Sequence, residues 1–238
     1  MKPAAPTVAA IVALLALTGC SVTTTQTKHS RIKLDREREL ATRSAVVVSE
    51  ANPEVSVEQV DLVRSERGSA VAVLVRNRSD KPLNDLPISV GVRRGDSEDL
   101  LNAKPGLPYF DTHLPAIAAG KSQVWVLPVK RGVPVGEPFA RVGRATAPAP
   151  TAVESLPQLS VTGSRAASGL AAELRNPSDV PQEQLQVYAW ATSGGRIVSA
   201  GRASVRSLSP GAKAALRIRL AGAPAGTPSI SVPPTVYE

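Results

Sequence analysis

The sequence predicts an all-β chain folded as two tandem antiparallel β-sandwiches. Three observations carry this. A motif recurs: Arg76-Asn77-x-Ser79-Asp80-x-Pro82 returns as Arg175-Asn176-x-Ser178-Asp179-x-Pro181, shifted by 99 residues. Short apolar runs alternate with period two, as in Ile88-x-Val90-x-Val92 and Leu216-Arg217-Ile218-Arg219-Leu220. Asn, Asp, Ser, Gly and Pro separate these runs at regular spacing, and neither copy has a stretch of helical period.

The flanks extend the repeat. At the shift of 99, Gln59, Val60 and Leu62 fall on Gln158, Leu159 and Val161. Val71, Val73 and Val75 fall on Leu170, Ala172 and Leu174, and Leu86 falls on Leu185. The shift then drops to 91, where Ala119-Gly120 meets Pro210-Gly211 and Trp125, Leu127 and Val129 meet Leu216, Ile218 and Leu220. At 90, Gly136-x-Pro138 meets Gly226-x-Pro228. Six or seven short strands in each copy suit a two-sheet sandwich. The expected boundaries are 45–144 for the first copy and 154–238 for the second, with an Ala/Pro/Thr-rich linker at 145–153.

Composition narrows the function classes. The chain has 238 residues, and its formal charge is 28 − 20 = +8. One Cys cannot form a disulfide within the chain, and one Cys with two His is too few for a Cys/His zinc site. Hydrophobic residues make up 42%, enough for a packed core. No apolar run in the body approaches the ~18 residues of a spanning helix.

The N-terminus reads as an address. Lys2 gives a positive start, Val8 to Leu17 is unbroken apolar, and Leu17-Thr18-Gly19-Cys20 follows. This is the pattern of a secretory signal peptide over 1–19. Its last four residues resemble the bacterial lipobox, Leu-(Ala/Ser/Thr)-(Gly/Ala)-Cys. The resemblance implies cleavage before Cys20 and acylation of its thiol. Two or three acyl chains, at about 0.8 kcal/mol per buried CH₂, hold a protein stably to a membrane. The expectation is an exported protein anchored to the bacterial cell membrane or outer membrane through Cys20. An exported chain meets lipid headgroups and envelope polymers, so no nucleic-acid partner is expected despite the basic balance. Residues 20–44 form the tether. Its Lys28–Arg43 part has six basic and three acidic residues, and reads as a solvated spacer in preference to a short exposed helix.

Each copy also resembles a known family. The order is a strand ending in Asn, a Ser-Asp turn, an alternating strand, a Gly turn, then a Pro-Gly turn into a last alternating strand. It is similar to the FxLYD-type immunoglobulin-like domains of bacterial envelope lipoproteins, whose motif is Phe-x-(Leu/Trp)-Tyr-Asp-x-x-Gly. Tyr188-Ala189-Trp190-Ala191-Thr192-Ser193-Gly194-Gly195 matches it in spacing and aromatic character, and Ile88-x-Val90 running to Gly95 matches more loosely. The Tyr-Asp pair is missing from both. The resemblance implies immunoglobulin-like sandwiches and a binding or scaffolding module with no catalytic residues and no cofactor.

Two places are candidates for binding. The first copy spends 25 residues from Val92 to Ile117, where the second spends 17 from Ala191 to Leu208. The extra eight lie in Asn102–His113, which holds Tyr109, Phe110 and His113. Long loops on rigid scaffolds often carry function, although a loop folded back to cover a sheet edge or to pack between the two copies is the better expectation. The second place is Tyr188 with Trp190, which share one strand face. A strict shift of 99 puts Val187 on Ile88 and turns both aromatics out of their sandwich as a binding patch. Matching Gly195 with Gly95 slips the register by one and turns them inward. The inward register is favoured, because Ala189 and Ala191 fill a core layer poorly. Trp125 falls on the inward series of its own strand.

Catalytic patterns are thin. Ser30-x-x-Lys33 lies in the tether without its partner motifs. Asp111 and His113 lack a nucleophile elbow. Asp96, Glu98 and Asp99 lack calcium-loop spacing. The expected role is a non-catalytic structural or protein-interaction module that meets an envelope protein or an anionic polymer. The alternative is a lipoprotein that takes a wall glycan or small solute on the 102–113 loop.

Overall fold

The computed structural model describes residues 36–66, 68–129, 133–144, 156–166, 169–222 and 228–237. The signal peptide, Cys20, Ser30, Lys33 and the 145–153 linker lie outside the described residues. The chain divides into two compact units, residues 1–38 and 39–238. Among the described residues, every strand lies in the second. Within the tether, residues 36–41 are helical, where a spacer was expected.

The first copy contains β1 (Val55–Ser65), β2 (Gly68–Asn77), β3 (Leu86–Arg94), β4 (Ser97–Leu100), β5 (His113–Leu114), β6 (Ser122–Val129) and β7 (Glu137–Val142). One sheet runs β1-β2-β6. The other is built on β3, which pairs with β4, β5 and β7. The second copy contains β8 (Ser160–Ala166), β9 (Gly169–Arg175), β10 (Gln182–Ser193), β11 (Arg196–Leu208), β12 (Lys213–Ile218), β13 (Ala221–Gly222) and β14 (Ser229–Ser231). Its sheets run β12-β9-β8 and β13-β11-β10-β14. All pairings are antiparallel. Leu170, Leu174 and Ile218 from one sheet pack on Leu185, Val187 and Ala189 from the other. The fold is therefore an all-β arrangement of two-sheet sandwiches.

The repeat is structural. Val73 pairs with Trp125, and Ala172 pairs with Leu216, their equivalents at shifts of 99 and 91. Among the described residues, the two non-glycine residues in the left-handed region are Asp85, with φ 51°, and Gln184, with φ 50°, and they too are 99 apart. The first strand departs from that shift. Leu62 lies opposite Val71, whereas Arg165 lies opposite Leu170. The β8–β9 hairpin is two residues shorter on each strand, which displaces β8 by four from the alignment read in sequence.

The recurring motif ties a strand to its turn. Asn77 and Asn176 are fully buried at strand ends. The Asn77 amide donates to the carbonyls of Lys81, at 2.6 Å, and Ile117, at 3.1 Å. Its Oδ1 accepts from the Ser79 N–H and hydroxyl. Asn176 does the same with Val180, Leu208 and Ser178. A buried amide must satisfy its donors and acceptor internally, so the motif is architectural.

Candidate functional site

Side chains alternate along β10. Val187 and Ala189 belong to the core of the second copy, so Tyr188 and Trp190 point out of it. The inward expectation is therefore corrected. The turns close on Arg94 opposite Ser97 and on Ser193 opposite Arg196, so Gly95 matches Gly194 and the strict shift of 99 holds. The outward aromatics are not a surface patch either. Tyr188 is fully buried and Trp190 half-buried in a cluster with residues of the first copy.

What covers them is the outer face of sheet β1-β2-β6. On β2, Val71, Val73 and Val75 face their own core, together with Trp125 and Leu127 on β6. The expected core position of Trp125 holds, with 0% exposure. The opposite face carries Ala70, Ala72 and Leu74, with Val124 and Val126, and all are buried or half-buried as well. β11 lies against β1, β2 and β6, and β10 against β6. A bulge between Ala191 and Thr192 in the β10–β11 register carries Ile197 onto this face beside Ala200. At Gly222, with φ 92°, an added Cβ would meet Val63 at 2.1 Å, so only glycine allows β13 to sit this close to the first copy.

Two ion pairs bracket the apolar seam. Asp61, 4% exposed, accepts from Arg196 Nε at 2.7 Å and from the Ile197 N–H at 2.9 Å. Gln59 donates to the same carboxylate. In the second pair, Arg202 donates to Asp111 Oδ1 and, at 3.1 Å, to the Phe110 carbonyl. The Phe110 carbonyl also accepts from the Trp125 indole N–H at 3.1 Å.

Those contacts place the 102–113 loop at the seam. In the second copy β11 pairs with β10 along its length, but in the first the chain leaves the sheet after Leu101 and returns at Thr112. Asn102 fills the gap. Its Oδ1 accepts from the Val90 N–H at 2.9 Å, and its amide donates to the carbonyls of Ile88 and Asp111 at 2.8 and 2.9 Å. One side chain thus replaces the missing strand partner of β3. Tyr109–Asp111 is a 3₁₀ turn. Tyr109 stacks on His113 at 4.0 Å and meets Phe110 edge-on at 5.2 Å. Phe110 and His113 are buried and Tyr109 is half-buried. The Thr112 hydroxyl lies 2.9 Å from His113 Nδ1 and donates to the Tyr109 carbonyl at 3.0 Å.

The structure thus brings all five described candidates, Tyr109, Phe110, His113, Tyr188 and Trp190, to one region. Tyr188 and Trp190 pack between the two copies, whereas Tyr109, Phe110 and His113 pack on one another within the loop, which reaches the second copy through the Phe110 carbonyl and Asp111. Burial raises the Tyr188 phenol above its ordinary range, and its hydroxyl has no hydrogen-bond partner. Sequence reasoning missed Asp61, Arg196 and Arg202, whose signal is an ionisable residue set within an alternating strand. The acidic turn is spoken for. Glu98 binds Arg93 and Arg141, whose guanidiniums hold its carboxyl at about 2. Asp99 binds Arg94. Among the described residues, no cluster of His, Cys, Asp and Glu could hold a metal ion.

Comparison with protein-family models finds no match, and comparison with curated proteins finds none either.

Proposed function

We propose that this is a lipid-anchored cell-envelope protein that acts as a non-catalytic structural or protein-interaction module. Leu17-Thr18-Gly19-Cys20 supports the anchor, since the single cysteine falls at the one position where a lipobox needs it. The observation that carries the module is the seam. Distinctive side chains of the body, Tyr188, Trp190, Asp61, Arg196, Asp111 and Arg202, are spent on fixing one copy against the other. A rigid two-sandwich body on a tether suits a spacer or scaffold that presents its outer faces to a partner. The alternative, a glycan or solute taken by the 102–113 loop, has less support, because Phe110 and His113 are buried there.

Intact mass of the membrane fraction tests the anchor, with Cys20→Ser as comparison. The expected species is residues 20–238 plus acyl groups for wild type, and no acylated species for the variant. An unacylated wild-type chain in the soluble fraction would overturn it. Crosslinking of the acylated wild type in its own cells then identifies the partner.

A further inference from the structure

The outer face of sheet β12-β9-β8 is the repeat equivalent of the face that the seam covers in the first copy. Between β9 and β12 it keeps the β2–β6 register but carries different chemistry. Ala72 and Val124 are matched by Ala171 and Ala215, which stay small. Leu74 becomes Glu173, Val126 becomes Arg217, Pro128 becomes Arg219 and Ser122 becomes Lys213. A face built for apolar contact in one copy is rebuilt for charge in the other.

The registers arrange these residues in columns. Ala171 lies opposite Arg217 on β12 and opposite Ser164 on β8. Glu173 lies opposite Ala215 and Thr162. Thr162 and Ser164 therefore stand on one side, Ala171 and Glu173 on the central strand, and Lys213, Ala215 and Arg217 on the other side, with exposed Arg219 just beyond β12. Alternate residues of a strand stand roughly 7 Å apart, so Arg217 and Arg219 are close neighbours, while Lys213 lies two such steps from Arg217, beyond Ala215. Glu173 binds Lys213 at 2.8 Å. Among the described residues, no carboxylate pairs with Arg175, Arg217 or Arg219. Together Thr162, Ser164, Ala171, Glu173, Ala215 and Arg217 line an open groove of about 660 Å³.

We infer that this groove binds an anionic polysaccharide chain. Arg217 and Arg219, which no carboxylate of the described residues pairs, supply charge complementarity, and Thr162 and Ser164 supply donors and acceptors for sugar hydroxyls. The small side chains of Ala171 and Ala215 leave room for a chain to lie across the sheet and make no apolar pocket to read peptide side chains. The inference deepens the reading above by naming a surface and a chemical class for an anionic envelope partner.

The test uses full-length Cys20→Ser protein, so its outcome is independent of acylation. The probe is polygalacturonate, with neutral dextran, phosphatidylglycerol vesicles and poly-glutamate alongside. Polygalacturonate is expected to bind, more weakly as salt rises, and dextran is not. Arg217→Glu/Arg219→Glu is expected to lower affinity at least tenfold. Lys81→Glu/Arg206→Glu, with the same change in net charge off this face, is expected to stay within twofold. Ala215→Trp, which fills the groove without changing charge, is expected to weaken binding at least fivefold. Equal loss in the two charge-reversed pairs, binding untouched by Ala215→Trp, no binding of polygalacturonate, or tighter binding to the vesicles or poly-glutamate would each overturn the inference.

Discussion

Asp61 and Arg196 lie 135 residues apart in the chain and meet across the seam, Arg196 Nε donating to Asp61 Oδ1 at 2.7 Å. The carboxylate is buried while the guanidinium stays largely in water, and the Ile197 N–H completes the contact. Removing the carboxylate leaves a buried N–H unmet. Asp61→Ala is expected to destabilise the body by about 2–3 kcal/mol, read by urea unfolding. A change under ~0.5 kcal/mol would mean that the pair adds nothing to the seam.

Asp111 and Arg202 are both largely buried, so their coupling is screened little by solvent. A double-mutant cycle with Asp111→Ala and Arg202→Ala is expected to return about 1–3 kcal/mol of coupling. Additive single effects would show that the loop and β11 are energetically independent.

Asn102 makes three buried hydrogen bonds in place of a strand. Asn102→Ala is expected to cost about 3 kcal/mol and to speed hydrogen exchange at Val90, whose N–H loses its acceptor. Unchanged exchange there would contradict the bridging role.

Tyr188 joins apolar burial to an unpartnered hydroxyl. Tyr188→Phe is expected to be neutral or slightly stabilising, whereas Tyr188→Ala costs about 3–5 kcal/mol. The raised phenol pKa adds a pH signature. Its stability contribution is present below the unfolded pKa near 10 and is lost as pH rises above it. Tyr188→Phe therefore flattens the alkaline limb of the stability curve, and an unchanged limb would show the ring to be solvated.

Glu98 gives the opposite limb. Its carboxyl lies at about 2, lowered from 4.5 chiefly by Arg141 and then Arg93. The resulting stability is present above about pH 4.5 and is lost as pH falls toward 2. Wild type and Glu98→Gln unfolded between pH 5 and 2 are expected to differ at the upper end and converge at the lower. A constant offset would assign the Glu98 effect to packing.

The repeat was legible because Asn77 and Asn176 need the same neighbours to satisfy a buried amide, and that requirement writes a motif. The loop was legible as eight extra residues. The seam was not. Period-two alternation reports that a face is buried, not which sheet buries it. On β2, Ala70, Ala72 and Leu74 fill the positions between the core valines, and an apolar run of that kind fits any strand covered on both sides. The direction of Tyr188 and Trp190 turned on which of two adjacent glycines, Gly194 or Gly195, matches Gly95, and composition could not decide between them.

The seam also sets an order of events. As the chain is made, the first copy is complete well before β10 and β11 exist. Until they arrive, Ala70, Ala72, Leu74, Val124 and Val126 form an uncovered apolar sheet face. Such a face on a half-made protein invites association with other chains. The first copy is therefore a poor candidate for independent life: released alone by a protease or a premature stop, it carries a sticky flank that only its own sequel was built to cover.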